Sequence, residues 1–360
     1  MKPKISGMQY MLLVANYLFT ATLISLPQVL VQAAEQNTWM VPILSLPFLV
    51  IIIIFSLGKK VEPLKELFLM GEKVTKLQKV FVSILLFFLI VSFIRDMRAL
   101  IDFTVTSLLP NTPIEILSVL SALVICYVCW TGLEVIARIT VIQFMVLGGI
   151  LLLLPLMLAN EIDPKNLQPI LGPGSLSAIV QSWYLLLGWV SEIVVFFLLL
   201  PYIDPIKNIR KLGIFGSLTA MFLLFLLIIM QLAVLGADIV KVSTFPNYQL
   251  IQQINITDFL DRLDLVIVTV WAPTILCKIS LTLYCINKAV GIVRGADTNV
   301  FIIPIGLLLA ILAVVLFKSN VQHLEFSFFT WPTLGLALEL LLIPLFFIIR
   351  KKHVTRAKQN

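Results

Sequence analysis

Four ionisable side chains, Arg95, Asp96, Arg98 and Asp102, fall inside "FFLIVSFIRDMRALIDF" (87–103), a run whose first half is wholly apolar. On a helix, residues three and four apart share a face. Arg95, Arg98 and Asp102 therefore form one Arg–Asp ladder within about 60° of arc, and Asp96 points elsewhere. Glu192, Lys278 and Glu339 are also set in apolar surroundings. An unpaired charge at mid-membrane costs at least about 2.5–3.5 kcal/mol, so such groups face protein or water. Two chemistries are open to them: ion pairs that tie helices together, or a polar surface that binds a ligand or guides an ion. Glu134 and Arg138, four apart in "GLEVIAR", bracket the inner end of the fourth span as a salt bridge.

The elements that hold these charges follow from composition. Of 360 residues, 60% are hydrophobic and 12% charged, against roughly 45–50% and 25% in a soluble domain. The chain is an all-α, multi-pass integral membrane protein, and the lipid bilayer is its first partner. About 20 apolar residues cross a hydrocarbon core of about 30 Å. Ten spans are expected, at 8–33, 39–57, 80–109, 114–131, 139–159, 177–201, 212–236, 263–289, 300–317 and 331–349. With the N-terminus inside, the inner loops carry nineteen Lys and Arg, the outer loops four, and the spans three. That asymmetry puts both termini in the cytoplasm and explains the net charge of +7 with no nucleic-acid partner. The first apolar run reads as a retained span rather than a cleaved leader. Residues 1–360 form a single membrane domain ending in a basic cytoplasmic tail at 350–360. No segment between spans is long enough for a soluble catalytic core.

Cys126, Cys129, Cys277 and Cys285 all lie in apolar runs and read as buried thiols. The CxxC of Cys126 and Cys129 has no second ligand pair, so neither a metal nor a cofactor is expected. No nucleophile–base set suggests an enzyme. The "NIT" at 255–257 matches a glycosylation sequon at chance level.

Ten spans divide into repeats at about 8–159 and 177–349. Five is odd, so the second half enters from the opposite side. Inverted repeats of this kind place a substrate site near the midplane, where the first helix of each half is broken. Both first helices carry weak helical sequence. Span one has "FTATLISLP" (19–27), with Thr20, Thr22, Ser25 and Pro27; span six has "LLLGWVSEI" (185–193), with Gly188, Ser191 and Glu192. Unwound backbone there offers free N–H and C=O groups to a ligand's charged ends. The competing reading is an ordinary kink at Pro27 and a packing contact at Gly188. Trp271 and Tyr284 flank Lys278 by seven and six residues and are placed to wall a small pocket.

Together these stretches resemble the B subunits of GerA-type spore germinant receptors, the spore germination permease family within the amino acid–polyamine–organocation transporter superfamily. The likeness runs through "KISGMQY" and "FTATLISLP", "RALIDFTVTSLLPNTP" and "WTGLEVIAR", "LQPILGPG", "SEIVVFFLLLPYI" and "TFPNYQLIQQINITDFLDRLDLVIVTVWAP", in the family's order. The family often has glycines in the break of span one, where this chain reads Thr20, Ala21, Thr22. The resemblance implies a ten-helix, five-plus-five inverted repeat of the LeuT type. It also implies a transporter-like sensor in the inner membrane of the bacterial endospore, assembled with A and C subunits. Its ligand would be a nutrient germinant such as an amino acid, read out by a conformational change. The expected ligand-binding set is Thr20, Thr22, Ser25, Gly188, Glu192, Trp271, Lys278 and Tyr284. Arg95, Arg98 and Asp102 are expected as an intramembrane ion-pair or ion-path group. Two other functions remain open: a secondary amino-acid transporter coupled to H+ or Na+, and part of a germinant-gated ion channel.

Overall fold

The structure is a computed structural model that describes residues 4–22, 26–58, 61–68, 74–254, 263–296 and 299–356, with backbone alone at 21–22, 62, 263–270 and 356. Thirteen α-helices order the described residues: α1 Gly7–Thr22, α2 Leu26–Ala34, α3 Met40–Leu57, α4 Lys76–Phe103, α5 Ile114–Thr131, α6 Leu133–Met157, α7 Ser175–Val190, α8 Ile209–Val240, α9 Pro246–Gln252, α10 Leu263–Arg294, α11 Ile302–Leu316, α12 Asn320–Glu325 and α13 Trp331–Arg356. An isolated parallel bridge, Ile5 to Ile203, is the extended pairing among them.

Nine described helical stretches are long and apolar enough to cross a bilayer. Of the expected first span, 8–33, the structure describes α1 to Thr22 and α2 from Leu26, and 23–25 lie outside the described residues. Pro27 is buried in α2. In the sixth span, α7 continues as a twelve-residue 3-10 helix, Ser191–Tyr202. Runs beyond three or four residues are uncommon for 3-10 geometry and often mark a hinge. This junction falls where the sequence weakens the helix, after Gly188.

Local signals account for several boundaries. Thr75 caps α4 reciprocally with Gln78, satisfying two N–H groups that lack helical partners. Gly132 takes a φ of 94°, a left-handed angle that suits a residue without Cβ, and it turns α5 directly into α6. Glu134 and Arg138 thus lie in the first turns of α6, not at the end of the fourth span, and form an exposed pair at 3.8 Å. The start of the basic tail expected at 350–360 continues α13 as far as Arg356. There Arg350 donates to the carbonyls of Phe55 and Ser56 at 2.9 and 2.6 Å.

The packing repeats itself between the halves. With α1–α2 matched to α7 and its 3-10 extension, α3 to α8, α4 to α10, α5 to α11 and α6 to α13, each principal contact has a counterpart. α1 lies on α8 as α7 lies on α3; α6 lies on α10 as α13 lies on α4; α5 lies on α10 as α11 lies on α4; α1 lies on α6 as α7 lies on α13. The centre is built from α1, α4, α7 with its 3-10 extension, and α10. α4 is buried on every side from Ser92 to Phe103, although an ordinary surface helix buries only one stripe.

Candidate functional site

The charges of α4 do not form one ladder. Arg95 turns to its chain neighbour Asp96, with Nε 2.9 Å from Oδ1, and its Nη2 contacts both Asp96 Oδ1 and Glu192 Oε1. Lys278 Nζ closes the group at 2.6 Å from Asp96 Oδ2 and 2.8 Å from Glu192 Oε2. Asp96 is thus a member of the central cluster and not a side chain aimed elsewhere. Residues one apart differ by about 100° on a helix; Lys278 and Glu192 on neighbouring elements draw both side chains inward. The Lys278 contacts are close ion pairs lying off the hydrogen-bond directions.

Two cations and two carboxylates make the quartet formally neutral, and it is sealed: the four residues expose between 0% and 4% of their surface. Its walls are aromatic. The Arg95 guanidinium is sandwiched between the rings of Trp189 and Trp331, 4.2 Å from each centroid. Lys278 Nζ stands 5.0 Å from the centroid of the Tyr17 ring. Desolvated contacts of this type contribute about 2 kcal/mol. Tyr17 is pinned in turn by a 2.8 Å hydrogen bond between its hydroxyl and Thr282 Oγ1. Asn16 donates to the Thr274 carbonyl at 3.3 Å, so α1 is stitched to α10.

Arg98 and Asp102 form a second, separate group. Arg98 Nε donates to Asp102 Oδ1 at 2.8 Å. Its Nη1 donates to the Phe317 carbonyl and, at 3.5 Å, to that of Val314. These carbonyls end α11 and lack helical partners, so Arg98 caps that helix with a favourable charge at its C-terminus. His323 links the two groups: Nδ1 is 3.3 Å from Asp102 Oδ2, and Nε2 is 3.1 Å from the Arg95 carbonyl.

The expected ligand-binding residues are distributed unequally. Glu192 and Lys278 meet in the quartet. Thr20 is buried at the end of α1 and donates to Asn16 Oδ1 at 3.0 Å. Gly188 has a packing role: a Cβ there would lie 2.2 Å from Pro332 Cα. Trp271 and Tyr284 do not face a common pocket. Trp271 packs on Phe103, with centroids 4.6 Å apart, and Tyr284 on Tyr202 at 6.3 Å. They stand on opposite sides of Lys278, each about 10 Å along α10. Ser25, like the 255–257 sequon, lies outside the described residues, and the Thr22 side chain is likewise not described. Sequence reasoning missed Tyr17 and Trp331 as partners of the buried cations. The available signal was an aromatic within an apolar span whose buried neighbour is a cation.

Comparison with solved structures finds the same architecture in transporters. The closed form of Mhp1, a nucleobase-cation-symport-1 family transporter with bromovinylhydantoin bound, aligns with a TM-score of 0.65 at 11% identity, covering 98% of this chain and 80% of that one. A Na+-coupled sialic acid symporter in its substrate-bound outward-open state aligns with a TM-score of 0.56 at 16% identity, covering 94% and 78%. At these identities the likeness shows the fold alone. In sequence, the chain is 27% identical over 361 residues to the spore germination protein YfkT of Bacillus subtilis strain 168, covering 99% of both. It is 28% identical over 275 residues to spore germination protein KB of the same organism, covering 73% of both. The spore permease family pattern, described as spore germination protein, matches residues 4–322, and with that match over most of its length the chain belongs to the spore germination protein family.

Proposed function

We propose that this chain is the transporter-like, germinant-sensing subunit of a spore germination receptor, and that its ligand is a small zwitterion such as an amino acid. The observation that carries this reading is the sealed quartet of Arg95, Asp96, Glu192 and Lys278 at the junction where α7 becomes a 3-10 helix. A zwitterion brings one cation and one anion. Its ammonium can take the place of Lys278 beside Glu192, and its carboxylate can take the place of Asp96 beside Arg95. The exchange keeps every charge paired, so it avoids the several kcal/mol that an uncompensated buried ion costs. It leaves Lys278 paired with Asp96 and releases α10 from the 3-10 segment that carries Glu192, which gives the ligand a differential affinity for two arrangements of the helices, the requirement for signalling by population shift. Thr20 and the backbone at the α7 junction serve the ligand's remaining polar groups.

In this reading the halves at about 8–159 and 177–349 move against each other, both termini face the cytoplasm, and the membrane is the endospore inner membrane. A and C subunits read the movement. The family and the likeness to spore germination protein KB support that assembly. The test is direct binding of labelled amino acids to the purified subunit and to the assembled receptor. Glu192→Ala, at normal protein level, is expected to abolish germination to the nutrient. A full dose response in that variant would refute the site. Transport coupled to H+ or Na+ is the second reading, favoured by the symporter fold. Gradient-driven, saturable accumulation of an amino acid in proteoliposomes separates it from pure sensing.

A further inference from the structure

Glu339 differs from every other buried acid among the described residues. Asp96, Asp102 and Glu192 each face a cation within ion-pair distance. Glu339 is 0% exposed, and neither carboxylate oxygen has a hydrogen-bond partner. It lies about a third of the way along α13, on the stripe that includes Trp331, Gly335, Leu342 and Phe346. Trp331 lies over Arg95 and Phe346 stacks on Phe197. This stripe faces α4 and the 3-10 segment, away from lipid.

Nothing near it among the described residues supplies compensation. Of the elements packed on α13, α4 brings Arg95, Asp96 and the mutually paired Arg98 and Asp102, with Lys76 and Lys79 exposed in its first turn; the 3-10 segment brings Glu192 and Tyr202, and α7 brings Tyr184. The turn Glu62–Glu66 brings Lys65 and Glu66, and α3 has no ionisable side chain. Arg95 is engaged by two carboxylates, and Tyr184 hydrogen-bonds Thr333 at 2.7 Å. Lys65 pairs with Asp204 at 2.9 Å, and Glu66 lies 4.0 Å from His353. Arg95 sits at the level of Trp331, eight residues from Glu339 and so about 12 Å away along the helix.

A carboxylate in such a place neutralises rather than remaining ionised. A hard metal cation would need a shell of several oxygen ligands, and no other oxygen bonds this carboxyl group. The proton alone satisfies the site. We propose that Glu339 is a proton-binding site, holding a proton in this arrangement and passing it to water when α13 moves relative to the helix break. In that step the carboxyl O–H bond breaks heterolytically, the proton leaves on water, and a carboxylate remains. The coupling to movement is steric. Gly335 and Pro332 of α13 press on Gly188 and Ser191, where an added Cβ on either glycine would come within 3 Å of the opposing helix. A rearrangement of the α7 junction therefore displaces the helix that carries Glu339. This inference does not depend on what ligand the quartet takes.

The test uses the full chain in lipid nanodiscs. At neutral pH the infrared carbonyl stretch of a protonated carboxylic acid is expected in the native protein and missing after Glu339→Gln, with folding unchanged because the replacement is neutral. Identical spectra overturn the proposal. Glu339→Met is a second neutral variant should the amide fold poorly. Unfolding the native protein in weakly buffered neutral solution is expected to release about one more proton per chain than unfolding either variant. Equal release from all three also overturns it.

Discussion

Lys278 Nζ lies 2.6 Å from Asp96 Oδ2, and this contact fastens α10 to α4, the helices that hold equivalent places in the two halves. Removing one partner of a buried pair leaves its counterpart uncompensated, which costs about 3–5 kcal/mol. Lys278→Met and Asp96→Leu are each expected to destabilise by that order. The double variant leaves Arg95 with Glu192, a complete pair, so it should lose at least about 1 kcal/mol less than the two singles together. Denaturant unfolding in detergent measures this cycle. Simple additivity would show that the two residues do not act as a unit.

Gly188→Ala is expected to destabilise by about 1–3 kcal/mol through overpacking. The new methyl would meet Pro332 Cα at 2.2 Å and its carbonyl oxygen at 2.7 Å, and backbone cannot rotate aside as a side chain can. Gly149→Ala is the control, since nothing lies within 4 Å of its added Cβ. There the better helix propensity should stabilise by up to about 1 kcal/mol. Equal thermal shifts for the two substitutions would contradict the packing assignment.

Arg98→Lys conserves the charge but not the fork. One ammonium cannot hold Asp102 and also reach the carbonyls of Val314 and Phe317 as the guanidinium does. The expected result is a loss of about 1–3 kcal/mol, with faster hydrogen exchange confined to the last turn of α11 and the start of α12. Unchanged exchange there would remove Arg98 from its capping role.

Asp204, between the sixth and seventh spans, accepts from Lys4 and Lys65, each at 2.9 Å. The bond from Lys4, then that from Lys65, pull its carboxyl down from 3.8 to about 2. A folded value below the unfolded one gives stability that is present above the unfolded value and lost as pH falls from 3.8 towards about 2. The group is exposed, so solvent screening keeps the effect small. Asp204→Asn should lower the melting temperature slightly near neutrality, and the gap to the native protein should close as pH falls through that acid window. Parallel curves for the variant and the native protein would exclude the linkage.

The sequence by itself determined whatever depends on local runs and their spacing. Apolar length and loop charge marked the spans, because a bilayer imposes a fixed thickness on any helix that crosses it. Helix-weakening residues at 185–193 marked the junction where α7 becomes a 3-10 helix, because Gly and Ser act on the backbone that carries them. The tertiary structure decided which charge meets which. Helical spacing assigned Arg95 to Arg98 and Asp102, since within one helix the face is the only available rule. In the fold, Glu192 and Lys278 arrive from sequence distances of 97 and 183 residues, and low-dielectric attraction to them outweighs the 100° between Arg95 and Asp96. The same physics explains Tyr17 and Trp331, whose partners are set by helix packing and not by any local pattern. It also explains Glu339: sequence places it at depth, but only packing reveals that no cation among the described residues comes to meet it.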